Sequence, residues 1–241
     1  VAAAIGVNVG VATTTATIGK GRKINSSNGA LKVTSRNETD TAAKADGSQV
    51  DGGKTDVGVG AAVALNVGVA TTTATISDNT DVKAKGVTLS ATGMTGQKSD
   101  GSADAKSGAG ASNVGIAGSL AVNAVVNTTL ATVESDKDSS GAGAKVDADN
   151  SAVLVEAQNA TTSTVKSAAD VKNSGSAKVG VGASIGLNVA VNTSAAEVGD
   201  KAQLIHAAGM GLNAKADHTM STTVEGGAAG AKVSITPVVA V

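Results

Sequence analysis

The chain has 241 residues, with 19 Lys and Arg against 20 Asp and Glu for a formal net charge of −1, and it contains no Phe, Tyr, Trp or Cys. A near-neutral chain whose only arginines are Arg22 and Arg36 lacks an electrostatic footprint for nucleic acid. Without aromatics it also lacks the girdles of a membrane β-barrel and the side chains that supply most of an ordinary globular core. The absence of Cys fits oxidising and reducing compartments alike, and no signal peptide is visible in a chain that opens inside a repeat.

The first predicted element runs from Val1 to Ile18 and alternates large with small side chains. The pattern is clearest in its second copy, VGVGAAVALNVGVATTTATI at Val57–Ile76. Val57, Val59, Val63, Leu65, Val67 and Val69 fall on one face, and Gly58, Gly60, Ala62, Ala64, Asn66 and Gly68 on the other. Successive strand side chains point to opposite faces, so this is a strand with a branched aliphatic face and a nearly bare one. The bare face allows another sheet or backbone to approach closely. A short polar turn follows, as in Ser77–Asp81, made of residues that bond their own backbone. Two short strands are then expected within Asp81–Ala91, separated by Gly86. The third part is polar and small, as before Val114 and before Val179, and reads either as a return strand or as a loop.

The long strand recurs from Val114 and from Val179, and a further copy begins at Val233. Asn8, Asn66, Asn123 and Asn188 hold the same place in each small face, at intervals of 58, 57 and 65 residues. The chain thus divides into approximate repeats at 1–56, 57–113, 114–178 and 179–232, with the start of a fifth at 233–241. Repeats of this size signal arrays in which neighbouring copies bury one another. A fully extended 57-residue repeat would span about 190 Å, so each copy must fold back on itself. The stretch Ala74–Ala91 has the size of one parallel β-helix rung, from which the polar segment and the long strand would project as an antiparallel arm. The expected fold class is therefore all-β: an elongated repetitive β-solenoid with parallel β-helix-like rungs, long Gly/Ala–Val strands and no long helix. Both termini lie inside copies of the long strand, and their uncapped edges are expected to recruit copies of the chain or further repeats.

The cadence DVKAKGVTLSA at Asp81–Ala91, together with the long strand at Val57–Ile76, resembles the repeats of very large secreted bacterial filamentous adhesins, the haemagglutinin-like and leukotoxin-like exoproteins. The resemblance covers nearly the whole chain. It implies secretion, an extracellular or cell-surface location, and a structural role as an adhesin stalk or fibre in attachment and cell–cell contact. Partners would be neighbouring copies and host or cell-surface ligands.

Candidate chemistry is sparse. His206 and His218 stand twelve residues apart without a Cys or a repeated acidic partner, which reads as two ordinary strand histidines, and the chain is expected not to be an enzyme. The Asp-bearing turns at Ser77–Asp81, around Ser99–Asp104 and at Glu134–Asp138 do not recur in register, so no metal site and no cofactor are expected. Glycine runs at Gly108–Ser112 and Gly226–Ala231 match no phosphate loop and suit close backbone approach. The longest apolar run has the wrong periodicity for a spanning helix. Two ladders remain. Asn8, Asn66, Asn123 and Asn188 are expected to satisfy one another's amides in a structural stack. Thr13, Thr15, Thr17, Thr71, Thr73 and Thr75 form an alternative binding surface for a polymer or for ice, interrupted later by Leu130, Ala195 and Glu197.

Overall fold

The structure, a computed structural model, describes residues 1–26, 28–49, 56–93, 97–134 and 142–241, with the backbone alone described at 173–177. Twelve strands make up one sheet: β1 (Ala2–Ile18), β2 (Lys23–Ser26), β3 (Leu31–Asn37), β4 (Thr41–Ser48), β5 (Val57–Ile76), β6 (Asp81–Ala84), β7 (Val87–Gly93), β8 (Ser99–Ala109), β9 (Val114–Val133), β10 (Lys145–Val198), β11 (Gln203–Ile235) and β12 (Val238–Ala240). Each long alternating segment becomes a strand because nothing in it favours a helix and its period is two. β10 is 54 residues long and covers, in one bent strand, what β6, β7, β8 and β9 supply separately. Its register against β11 shifts between Asp147 and Ser151, where Asp149 and Asn150 both have positive φ, a conformation that Asp and Asn tolerate better than most residues.

All strand pairs are parallel, and like pairs with like. Val67 lies beside Val9 and Ala124, and Asn66 beside Asn8 and Asn123. The long strands β1, β5, β9 and the end of β10 form one wall. The chain then turns through β2 and β6 and runs back through β3, β4, β7 and β8, which pack on the inner side of that wall. The sheet thereby curls on itself as a half-barrel and closes a single domain.

This architecture corrects several expectations. The repeat is not an 18-residue rung with an antiparallel arm. The polar segment that could have been a loop is strand β4, with Ala43 and Ala45 inward and Lys44 and Asp46 outward, and again strand β8. Nor is the molecule an elongated solenoid rod. Four strands side by side at ~4.8 Å span only about 20 Å, whereas a 20-residue strand runs about 65 Å, so strand length sets the shape. Self-stacking with copies of the chain is corrected too, because each strand finds its partner within this one domain. The stalk or fibre role and the adhesin-like repeat architecture fall with them.

The core divides by side-chain size. Near the turning corner the walls are far enough apart for Ile76, Val82, Leu89, Val133, Val146, Val153 and Val155, all essentially inaccessible. Further along, the walls close and small groups predominate, with Ala62, Ala64, Ala103, Ala105 and Ala121 between them beside Val165. Closest of all are the glycines. A Cβ on Gly6 would strike the carbonyl of Lys44, one on Gly60 that of Gly108, and one on Gly47 that of Ala61. Here Gly is required by space and not by backbone conformation.

Candidate functional site

The small faces of the long strands are inside and the branched faces are outside. In β1, Ile5, Val7, Val9 and Val11 are each more than 60% exposed. Beside them on β5, β9 and β10 lie Val63, Leu65, Val67 and Val69, then Leu120, Val122 and Val126, then Ile185, Leu187, Val189 and Val191. Val67, Ile116, Val126, Ile185, Val189 and Val191 are among those open to solvent. From the row of Val57, Val114 and Val179 to that of Val11, Val69, Val126 and Val191, no charged, polar or aromatic side chain interrupts this face. At strand spacing it measures roughly 40 Å by 19 Å. Exposed contiguous apolar patches on single domains usually stay within about 300–600 Å². A flat aliphatic surface above that range costs solvation free energy for as long as it stays wet, so it has the character of an interaction surface.

The threonines continue this outer face toward the corner. Thr13, Thr71, Thr128 and Thr193 form one row. Thr15 and Thr73 are followed by Leu130 and Ala195, and Thr17 and Thr75 by Thr132 and Glu197. Thr13, Thr15 and Thr17 are exposed, Thr71 and Thr73 half-buried, and Thr75 buried. The hydroxyl band is therefore a short border to the aliphatic field and is open mainly along β1.

The four asparagines lie between the walls. Asn8 Nδ2 donates to Asn66 Oδ1 at 2.9 Å, Asn66 Nδ2 to Asn123 Oδ1 at 2.7 Å, and Asn123 Nδ2 to Asn188 Oδ1 at 3.2 Å. The facing wall supplies further partners: Asn66 Nδ2 donates to Thr41 Oγ1 at 2.9 Å, and Asn123 Nδ2 to Ser163 Oγ at 2.7 Å and to the Gly101 carbonyl at 3.1 Å. Asn66 and Asn123 are wholly buried. In that setting an unpaired amide would cost ~1–3 kcal/mol, so this row ties the two walls together and fixes their register.

Two further polar rows were missed at the sequence level. Ser119, Ser167 and Ser184 are linked at 2.9 Å each, with Ser184 Oγ donating to the Glu225 carbonyl. Asn127 Nδ2 donates to Thr161 Oγ1 at 3.0 Å, and that hydroxyl donates to Asn192 Oδ1 at 3.1 Å. The signal was present: Ser119 matches Ser184, and Asn127 matches Asn192, four residues before and after the central Asn in the third and fourth copies.

The histidines sit apart from one another. His206 Nδ1 is 3.0 Å from Asp147 Oδ1, and His218 Nδ1 is 2.6 Å from Asn192 Nδ2. The Asp149 backbone N–H, and after it His206, hold the Asp147 carboxyl below the ordinary carboxylate range. Among the described residues no group of three or more His, Cys, Asp or Glu comes together as a metal site would require. Part of the expected turn at Glu134–Asp138 lies outside the described residues. Of the expected glycine runs, Gly227 stands against the inner face of β10, where a Cβ on Gly182 would meet its carbonyl. No helix among the described residues is long and apolar enough to cross a membrane.

No protein-family model, curated protein or solved structure matches this chain. The resemblance to adhesin repeats accordingly has no support beyond the residues that suggested it, and the half-barrel domain replaces the fold it implied.

Proposed function

We propose that the chain is a non-enzymatic binding domain that docks its flat aliphatic outer face on an apolar surface of a partner macromolecule. The observation that supports this reading is the uninterrupted field of Val, Ile and Leu on the outside of β1, β5, β9 and β10. The interior of the same region is built from Gly, Ala, Ser and Asn. Folding alone would be served better by the opposite arrangement, with large apolar groups inside. Covering the field would bury an area close to the ~800 Å² per partner of a standard specific interface. Parallel strands in register keep the face flat and rigid, so little side-chain freedom is lost on docking by β-branched residues.

The non-enzymatic part of the reading rests on the separated histidines and on the absence, among the described residues, of a nucleophile with a positioned base. We further place this binding outside the cell or at its surface, a location with which the absence of Cys is compatible. Fractionation of cells producing the protein checks that location.

The test is a pair of substitutions in the middle of the face, Val67→Lys and Val126→Glu, in the otherwise intact chain. Retention on an octyl-derivatised planar surface should fall at least tenfold for each variant. Thermal unfolding should stay within a degree or two of the parent, since both side chains face solvent. Unchanged retention by both variants would contradict the proposal.

A further inference from the structure

The wall opposite the aliphatic face carries a different surface. Where β3, β7, β10 and β11 bend toward the polar return strands, a groove of about 460 Å³ crosses the strands. Arg36, Thr92, Gln158 and Lys215 stand in one register row along it, with Glu156 and Asp217 on its sides and Lys98 at its rim. Arg36 is one of only two arginines in the chain. Among the described residues, Arg36, Lys98 and Lys215 have no carboxylate partner within 4.0 Å, and the Lys98 ammonium donates only a long 3.4 Å bond to Thr219 Oγ1. Behind the groove, the Asn159 side chain turns inward, where its Nδ2 donates to the Thr193 carbonyl at 3.1 Å.

The mixture of groups selects among ligands. Three unpaired cations call for an anionic ligand, with Arg36 suited to two-point contact with a carboxylate. Glu156 and Asp217 would repel a polymer carrying several charges at every unit, but they accept hydrogen bonds well from hydroxyls. The groove has no aromatic ring on which a base could stack, which disfavours a nucleic acid strand. It also has no apolar pocket for peptide side chains. Arg36 and Lys215 are three strand steps apart, ~14 Å, so one extended chain laid across the strands reaches both. We propose that this groove binds a linear acidic polysaccharide, its carboxylates held by Arg36, Lys98 and Lys215 and its hydroxyls by Glu156, Gln158 and Asp217. The site is independent of the aliphatic face.

Calorimetric titration of the full chain with oligogalacturonate tests it, alongside neutral dextran, heparin and single-stranded DNA. Oligogalacturonate is expected to bind and to weaken as salt is raised, and dextran to show no heat. Arg36→Ala combined with Lys215→Ala should weaken binding at least tenfold. Lys23→Ala combined with Lys83→Ala, in a separate cleft that also holds Asp81 and Asp147, should leave binding unchanged. All four residues lie outside the core, so circular dichroism should report the same fold for each variant. Three results would overturn the assignment: no binding of oligogalacturonate, equal loss in both double variants, or binding of heparin or DNA as tight as that of the uronate. Failure of these arms leaves the octyl-surface test of the aliphatic face unaffected, so the two readings fail separately.

Discussion

At the scale of single residues, the central Asn of each copy is the most constrained polar group in the domain. Asn123 bonds to Asn66 on one side, Asn188 on the other and Ser163 across the gap, and it has no access to solvent. Asn123→Leu removes these bonds, taking one partner from each of three buried neighbours and the amide donor from the Gly101 carbonyl. It also forces a branched side chain between walls spaced for an amide. We expect a loss of roughly 3–5 kcal/mol or failure to fold, read as the midpoint of urea unfolding. Asn8→Leu, at the open edge where the residue is half-exposed and bonds only to Asn66, should cost about 1 kcal/mol. Equal costs at the two positions would mean that the row does not act as a chain of shared bonds.

At the scale of elements, spacing between the walls is set by glycine, and two glycines on neighbouring strands separate the inner face from the outer. Gly60 on β5 points inward, where an added Cβ meets the Gly108 carbonyl. Gly118 on β9 points outward and would meet nothing within 4 Å. Gly60→Val should therefore lower stability by ~2–4 kcal/mol or prevent folding, and Gly118→Val should be neutral or slightly stabilising in the same urea titration. Much of this element-level order is legible in the sequence. Period-2 alternation gives the long strands, and the matched runs at Asn8–Ile18 and Asn66–Ile76 give the register that β1 and β5 adopt. Alternation alone does not say which face is inside; the bareness of one face does, since it admits another backbone, and that face is the inner one. The usual expectation puts branched side chains in the core. Here the opposing wall approaches so closely at Gly6, Gly47 and Gly60 that only small faces fit, and the valines are left outside. The polar third segment stayed open between strand and loop for a related reason. Its inward residues are Ala, Ser and Gly, too small to register as a hydrophobic face, although Ser99–Ala109 does alternate them with Asp and Lys. The groove was invisible for a third reason: Arg36, Gln158 and Lys215 come from three different copies and meet only through cross-strand register.

At the scale of the whole molecule, the domain turns an unbroken field of Val, Ile and Leu to solvent along one wall, and on the other places a charged groove that runs across the strands. Cross-strand charge helps hold that second wall together, with Lys44, Asp104 and Lys166 adjacent in one outward row and so alternating in sign. The claim on which the account depends is that the valine face is outside and free. The natural absence of Cys makes it directly measurable. Val126 and Val133 lie on the same strand and on opposite faces, the first 37% exposed and the second 1%. In single-cysteine variants Val126→Cys and Val133→Cys, reaction with a small aromatic disulfide reagent under native conditions reads the accessibility of each face. The account predicts that Cys at 126 reacts within about tenfold of the rate in urea-unfolded chain, and that Cys at 133 reacts only through global unfolding, slower by a factor of roughly 10³ or more. Protection at 126 equal to that at 133 would contradict it.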